Sequence, residues 1–533
     1  SWNTASGSYA TVGGGGGHVY YDVVDEEVNL LPNTASGEWS TVGGGGGNTA
    51  SGKAATVSGG GAYYRGRYGD FMANFNTANG DWSTVSGGGG NTASGWAATV
   101  GGGGSYAFHG LGTVPVPNTA SGDWSTVSGG ASNSASGSYA TIAGGHGNEA
   151  IADYATIAGG GRSDPANAAT ANRVTDNYGT VGGGGNNQAG NANASTTDAI
   201  YTTIGGGWLN VASAHYTTIG GGDHNTASGN DATISGGHWH TASGINATIG
   251  GGYQNTANGG DATIGGGEGN TASGSETTIG GGEANTASGS DATVGGGYQN
   301  TASGFAATVP GGTFNTAQGD YSLAAGRRAK ANNKGCFVWG DSSSADVTCN
   351  NDNRWVARAS GGVYFYTNSG LTTGSYLAAG GNSWNAVSDR ATKENLIPVD
   401  GQTILERLAA LSLQEYNLKS QDPSIRHLGP VAQDFYAAFG YGESDRAINM
   451  EDADGVALAA IQGLYQIVQA QETQITAQQQ QIADLETRLA ALEAKSASPV
   501  RFGLWPGAFL LGLGLVLSLP KGRTWWNQRR NGR

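Results

Sequence analysis

Charge is what this sequence has least of. Charged residues fill 12% of its 533 positions, about half the usual share of ~25%, and they sum to a formal −15. A chain without a basic face cannot neutralise phosphates, which excludes nucleic acid as a partner. There are two cysteines, too few for a disulfide framework. Cys336 and Cys349 flank a turn-like Asp341–Asp346 stretch and can face each other across a hairpin, bonded or free. No Gly-Lys-Ser/Thr follows any glycine run, so the many GxGxxG matches are not phosphate loops. No catalytic cluster stands in the first 330 residues, which argues against an enzyme with turnover, and no cofactor is expected. The chain opens at Ser1, so a signal peptide is expected to have been removed or to lie outside it. Glycine is in excess, 98 residues, beside 9% aromatics, too aromatic for a disordered acidic chain.

That composition points to repeats. From Asn225 onward the unit Asn-Thr-Ala-Ser-Gly-x-x-Ala-Thr-(Ile/Val)-Gly-Gly-Gly-x-x recurs every 15 residues, starting at Asn225, His240, Asn255, Asn270, Asn285, Asn300 and Asn315. Upstream it starts at Asn3, Asn33, Asn48, Asn76, Asn91, Asn118 and Asn133, with insertions between some copies. Ala-Thr-Ile alternates, so Ala and Ile share one face and Thr the other, as in a strand. The triple glycine and the glycine after Ser are expected to supply left-handed corners. Each unit is thus one coil of a β-solenoid, two short strands and two corners. About seventeen coils, plus a degenerate one at Asn315–Lys330, predict a rod of roughly 80 Å. The apolar area per coil is small, and three chains around an axis would bury more. The repeat resembles the head of trimeric autotransporter adhesins, the YadA-like β-roll, whose usual period is fourteen. The resemblance implies a homotrimer of left-handed-type rolls.

Insertions at His18–Pro32, Ala62–Phe75, Ser105–Pro117, Arg162–Gly179 and around Asn187–Tyr201 break the period. They are either recognition loops for a surface ligand or caps over gaps between protomers. His224, His238 and His240 fall at one corner of adjacent coils, with Asp223 stacked on the position of His238. They are weak candidates for a metal site, and no metal is assigned.

Near Gly380 the repeat character ends. Ser388-Asp389-Arg390-Ala391-Thr392-Lys393-Glu394-Asn395 is followed by a helix-like Thr403–Leu411, by His427-Leu-Gly-Pro-Val-Ala-Gln433-Asp434-Phe435, and by Asp454-Gly455-Val456 leading into a long helix. This ordered series resembles the intramolecular chaperone auto-processing domain of endosialidase tail spikes and related fibres. The resemblance implies a single-turnover serine endopeptidase with Ser388 as nucleophile and Lys393 as base, cutting Val387–Ser388. Asp389, Asn395, His427 and Gln433 match family positions and are given supporting roles. A lysine acts as base only when its pKa falls from ~10.4 toward neutrality, which desolvation can achieve. Five residues apart, the two side chains diverge by ~140° on a helix and face opposite sides of a strand. A bend or trimer packing is needed to join them.

From Ile461 a heptad runs unbroken, with Ile461, Val468, Ile475, Ile482 and Leu489 at a and Leu464, Gln471, Gln478, Leu485 and Leu492 at d, which indicates a coiled coil. Phe502–Leu519 is apolar and uncharged, long enough to span a bilayer. Lys521, Arg523, Arg529, Arg530 and Arg533 follow without an acid, placing that tail in the cytoplasm and the rest outside.

The expected order is therefore a β-roll at 1–330, a β-rich neck at 331–387, an α+β chaperone domain at 388–460, a coiled coil at 461–495, a membrane helix at 502–519 and a basic tail at 520–533. The expected protein is mainly β: a cell-surface trimeric fibre or adhesin that releases its shaft, or alternatively a phage-type tail fibre.

Overall fold

The computed structural model describes residues 2–15, 20–21, 28–29, 31–65, 71–104, 106–109, 112–162 and 170–496. They form two compact units, Ser1–Val363 with Leu377–Ser383, and Tyr364–Tyr376 with Trp384–Arg533.

The first unit is a parallel β-solenoid. Each coil gives a two-residue strand at its Thr-Ala step and another at its Thr-Ile or Thr-Val step. Stacked, they make two ladders of 20 strands each. Like pairs with like: Thr256 with Thr271, Ala257 with Ala272, Thr263 with Thr278, Ile264 with Ile279. A third ladder of single-residue bridges runs along one corner through Trp208, Asp223, His238 and Tyr253. At ~4.8 Å per coil, 20 coils span about 90 Å.

The ladders do not stop near residue 330. They continue through Ala329–Ala331, Phe337–Gly340, Val347–Cys349 and Trp355–Arg358. The alternation of inward and outward residues persists there after the glycine signature has gone.

Ala227, Ala232 and Ile234 and their equivalents in the coils between the two ends are fully buried, as the alternation predicts. The space that looked too poor in apolar area is filled by asparagine. Asn225, Asn255, Asn270 and Asn285 are also fully buried. Asn270 donates its backbone N–H to Asn255 Oδ1 at 2.9 Å, and its own Oδ1 accepts the N–H of Asn285 at 2.9 Å. Its Nδ2 donates to the carbonyls of Gly266 (3.0 Å) and Gly282 (2.9 Å). Every polar atom of the side chain is used, so its burial costs little.

The corners differ from expectation. Gly282 in the triple-glycine corner does have φ +87, and a Cβ there would strike the Gly297 carbonyl and the Asn285 amide. The glycine after Ser is not left-handed. Gly289 is glycine because a Cβ would overlap the Gly304 carbonyl of the next coil. The left-handed residue comes two places later and is often aromatic: Tyr154, Tyr178 and Tyr201 have φ 58, 62 and 59. Such residues cost about 1–3 kcal/mol each. Their rings stack from coil to coil, Tyr139–Tyr154 at 4.9 Å, Tyr154–Tyr178 and Tyr178–Tyr201 at 4.8 Å. These separations match the coil rise, and such pairs return ~0.5–1.5 kcal/mol each.

Three insertions contain antiparallel hairpins: Tyr20–Tyr21 with Val28–Asn29, Ala62–Arg65 with Phe71–Asn74, and Tyr106–His109 with Gly112–Pro115. Cys336 and Cys349 are bonded, with Cα atoms 6.2 Å apart. They do not face each other across a hairpin. Cys336 precedes a strand of one ladder and Cys349 ends a strand of the other, in register with Ala331. The bridge crosses the interior between the last coils, and both residues are buried.

In the second unit a three-stranded sheet (Val363–Tyr366, Gly374–Leu377, Trp384–Ala386) precedes helices α1 (Gly401–Ala410), α2 (Ala432–Phe439) and α3 (Met450–Ser496). Asp400 caps α1 by accepting the Gln402 N–H at 3.2 Å, and α2 ends on left-handed Gly440. Ile404, Phe435, Phe439, Val456 and Ala460 form the core. Gly401 meets Gly463 where a Cβ on either would overlap the other's backbone, so α1 crosses α3 closely. Beyond that crossing α3 is continuous, and its heptad residues Ile461, Leu464, Ile475, Ile482 and Leu489 are exposed in the single chain. No helix among the described residues is long and apolar enough to cross a membrane. The run 502–519 and the basic tail lie outside the described residues.

Candidate functional site

The strand Trp384–Ala386 leads directly into the segment of interest. The Val387 N–H donates to the Gly374 carbonyl at 2.9 Å, which fixes the backbone just before Ser388. Nothing in the sequence around Gly374 signals that role. Ser388 is then followed by a single 3₁₀ turn, Arg390–Thr392.

Asp389 sets this turn. Its Oδ1 accepts the Ala391 N–H at 2.9 Å, while its carbonyl accepts the Thr392 N–H at 3.1 Å and the Thr392 hydroxyl at 2.8 Å. The Lys393 N–H closes on the Arg390 carbonyl at 3.2 Å. A 3₁₀ turn is tighter than an α-turn, and leaving it Lys393 returns to extended backbone, φ −112 and ψ 140. The lysine side chain thereby folds back, and its Nζ lies 2.5 Å from Ser388 Oγ. The bend that the five-residue spacing required is built within one chain. Both side chains are exposed, and Val387 is half-buried.

The remaining candidates divide. Asn395 takes a left-handed conformation, φ 54, and lines a pocket with Pro398, Asp400, Thr403, Arg407 and Tyr441. His427 sits on the strand His427–Gly429, paired with Gln414–Tyr416. Its Nε2 is 2.7 Å from Gln421 Oε1, and its ring lies 5.6 Å from that of Tyr416. Gln421 is a partner that the motifs did not indicate. Gln433 is exposed in the first turn of α2. Among the described residues no hydrogen bond joins His427 or Gln433 to Ser388 or Lys393.

The histidines of the roll also divide. His240 does not lie at the corner with His224 and His238. It occupies an asparagine position in the buried ladder, donating its N–H to Asn225 Oδ1 (3.0 Å) and accepting the Asn255 N–H on Nδ1 (3.1 Å). Burial pushes its pKa below the usual histidine value.

No curated protein matches the chain. One family does: the sequence model described as the chaperone of endosialidase matches residues 388–441, from the serine through α2.

Proposed function

We propose that the chain is one subunit of a tail-fibre-like trimer whose chaperone domain assembles the β-solenoid shaft and then cuts itself free at Val387–Ser388. The observation that carries this is the Ser388–Lys393 hydrogen bond, standing at the start of the matched segment. Lys393, in its neutral form, takes the proton of Ser388 Oγ. The oxygen attacks the carbonyl carbon of Val387, and the Val387–Ser388 C–N bond breaks. The Ser388 nitrogen gains a proton and becomes a free amino terminus. Water then hydrolyses the Val387 ester, returning the hydroxyl to Ser388. One water is consumed, and the site works once.

Because both side chains are exposed in the single chain, packing of three chains around them supplies the desolvation that a lysine base requires. The exposed heptad face of α3 gives those chains a trimerisation surface. Cleavage then follows assembly. The apolar run 502–519 would hold the chaperone product in a membrane with the basic tail inside, and display the shaft at the cell surface. The insertions would carry the ligand-binding loops of an adhesin. Mass spectrometry of the products of expressed full chain tests the proposal: one fragment ends in Val387 and the other begins with Ser388. A cut at any other bond rejects the assignment of Ser388.

A further inference from the structure

The corner of the solenoid around Asp223 collects two imidazoles and a carboxylate on one point. His224 Nδ1 lies 3.0 Å, and His238 Nδ1 2.6 Å, from the same oxygen, Asp223 Oδ1. The three ligand atoms lie within 4.8 Å of one another. Asp223 and His238 are partners in the single-residue ladder, one coil apart, so the backbone holds them in register. His224 is fixed by its left-handed conformation, φ 56, and by lying flat on Trp239 at 4.4 Å and 5°. His238 lies similarly on Tyr253 at 5.4 Å and 13°. The rings are therefore oriented by their stacks as well as by the carboxylate.

We infer that Asp223, His224 and His238 form a site for one divalent transition-metal ion of the zinc type, clamping two successive coils. Two imidazole nitrogens and one carboxylate oxygen are the ligand set of such ions, whereas calcium and magnesium take oxygen ligands. Ligand bonds of ~2.0 Å in a tetrahedron place ligand atoms ~3.3 Å apart. The nitrogen–oxygen separations of 3.0 and 2.6 Å need open by about 0.3 and about 0.7 Å. All three side chains are partly exposed, so the fourth position faces solvent and is free for water or a ligand atom of a bound partner.

The test uses the full chain, freed of metal by a chelator and titrated with Co2+ as a spectroscopic probe. One Co2+ per chain binds saturably, with the intense visible absorption of a four-coordinate ion. Equimolar Zn2+ displaces it, and excess Ca2+ does not. His238→Thr should abolish the band without disturbing the coil, because Thr313 occupies the same ladder position five coils on. Asp223→Thr should do the same, and His215→Ala, upstream of Asp223 at the other corner of the same coil, should leave it. Circular dichroism confirms that each variant keeps its β-structure. Undiminished Co2+ binding in folded His238→Thr, displacement by Ca2+, or no saturable binding by the folded wild type would each overturn the inference.

Discussion

Replacing Asn270 by alanine removes one side chain and strands three backbone groups. The Asn285 N–H loses its acceptor, and the carbonyls of Gly266 and Gly282 lose their donor. The Asn285 N–H lies at a fully buried position, whereas Gly266 is half-buried and Gly282 exposed. At ~1–3 kcal/mol for the unsatisfied buried N–H, with less for the two carbonyls that water can reach, the loss comes to about 2–4 kcal/mol. In a solenoid each coil contacts only its neighbours, so the damage falls mainly on the coils at 270 and 285. Native-state hydrogen exchange reads this directly. A loss of ~3 kcal/mol speeds exchange of the Asn285 amide and its neighbours by about 100-fold, with coils near Asn91 unchanged. Thr271→Ala, on the outward face one residue away, should change exchange by less than about threefold. If Asn270→Ala exchanges within that same margin, the asparagine ladder is not what holds the interior together.

Other consequences follow from particular positions. Gly289→Ala should destabilise its coils strongly, since the new Cβ meets the Gly304 carbonyl, whereas Gly311→Ala, with open space around it, should fold normally; paired thermal melts decide this. His240 is buried with a lowered pKa, so the folded state favours neutral imidazole. Its contribution is present above the unfolded value of ~6.5 and is lost as pH falls below it. His240→Asn should therefore narrow the gap between melting temperatures at about pH 7.5 and about pH 5, and an unchanged gap contradicts the assignment. Cys336→Ser with Cys349→Ser opens a 13-residue link and should cost roughly 2–3 kcal/mol at the end of the solenoid. Faster exchange confined to residues beyond about 320 is the expected sign, and a uniform change along the shaft would be against it.

The repeat was legible in the sequence because glycine and alternation are strong signals when repeated every 15 residues. What they left out has physical reasons. Polar Asn270 reads as a surface residue, and only the coil geometry shows that each of its atoms has a backbone partner. Tyr178 at φ 62 breaks the rule that left-handed corners want glycine, and ring stacking along the ladder offsets part of the strain. The last coils lack the triple glycine while keeping the alternation around Val338 and Val347, so the shaft reads as ending before it does. At the site, the motif brought Ser388 and Lys393 to attention. Their contact depends on a 3₁₀ turn capped by Asp389, which neither helical nor strand periodicity expresses.

In the proposed mechanism Lys393 activates Ser388 for one cut. Full-length wild type, Ser388→Ala and Lys393→Met are expressed side by side and run on denaturing electrophoresis over a time course. Self-processing by this pair predicts two fragments from the wild type and intact, folded chains from both variants. Cleavage of Lys393→Met at the wild-type rate would contradict it, as would a wild-type trimer that never cleaves.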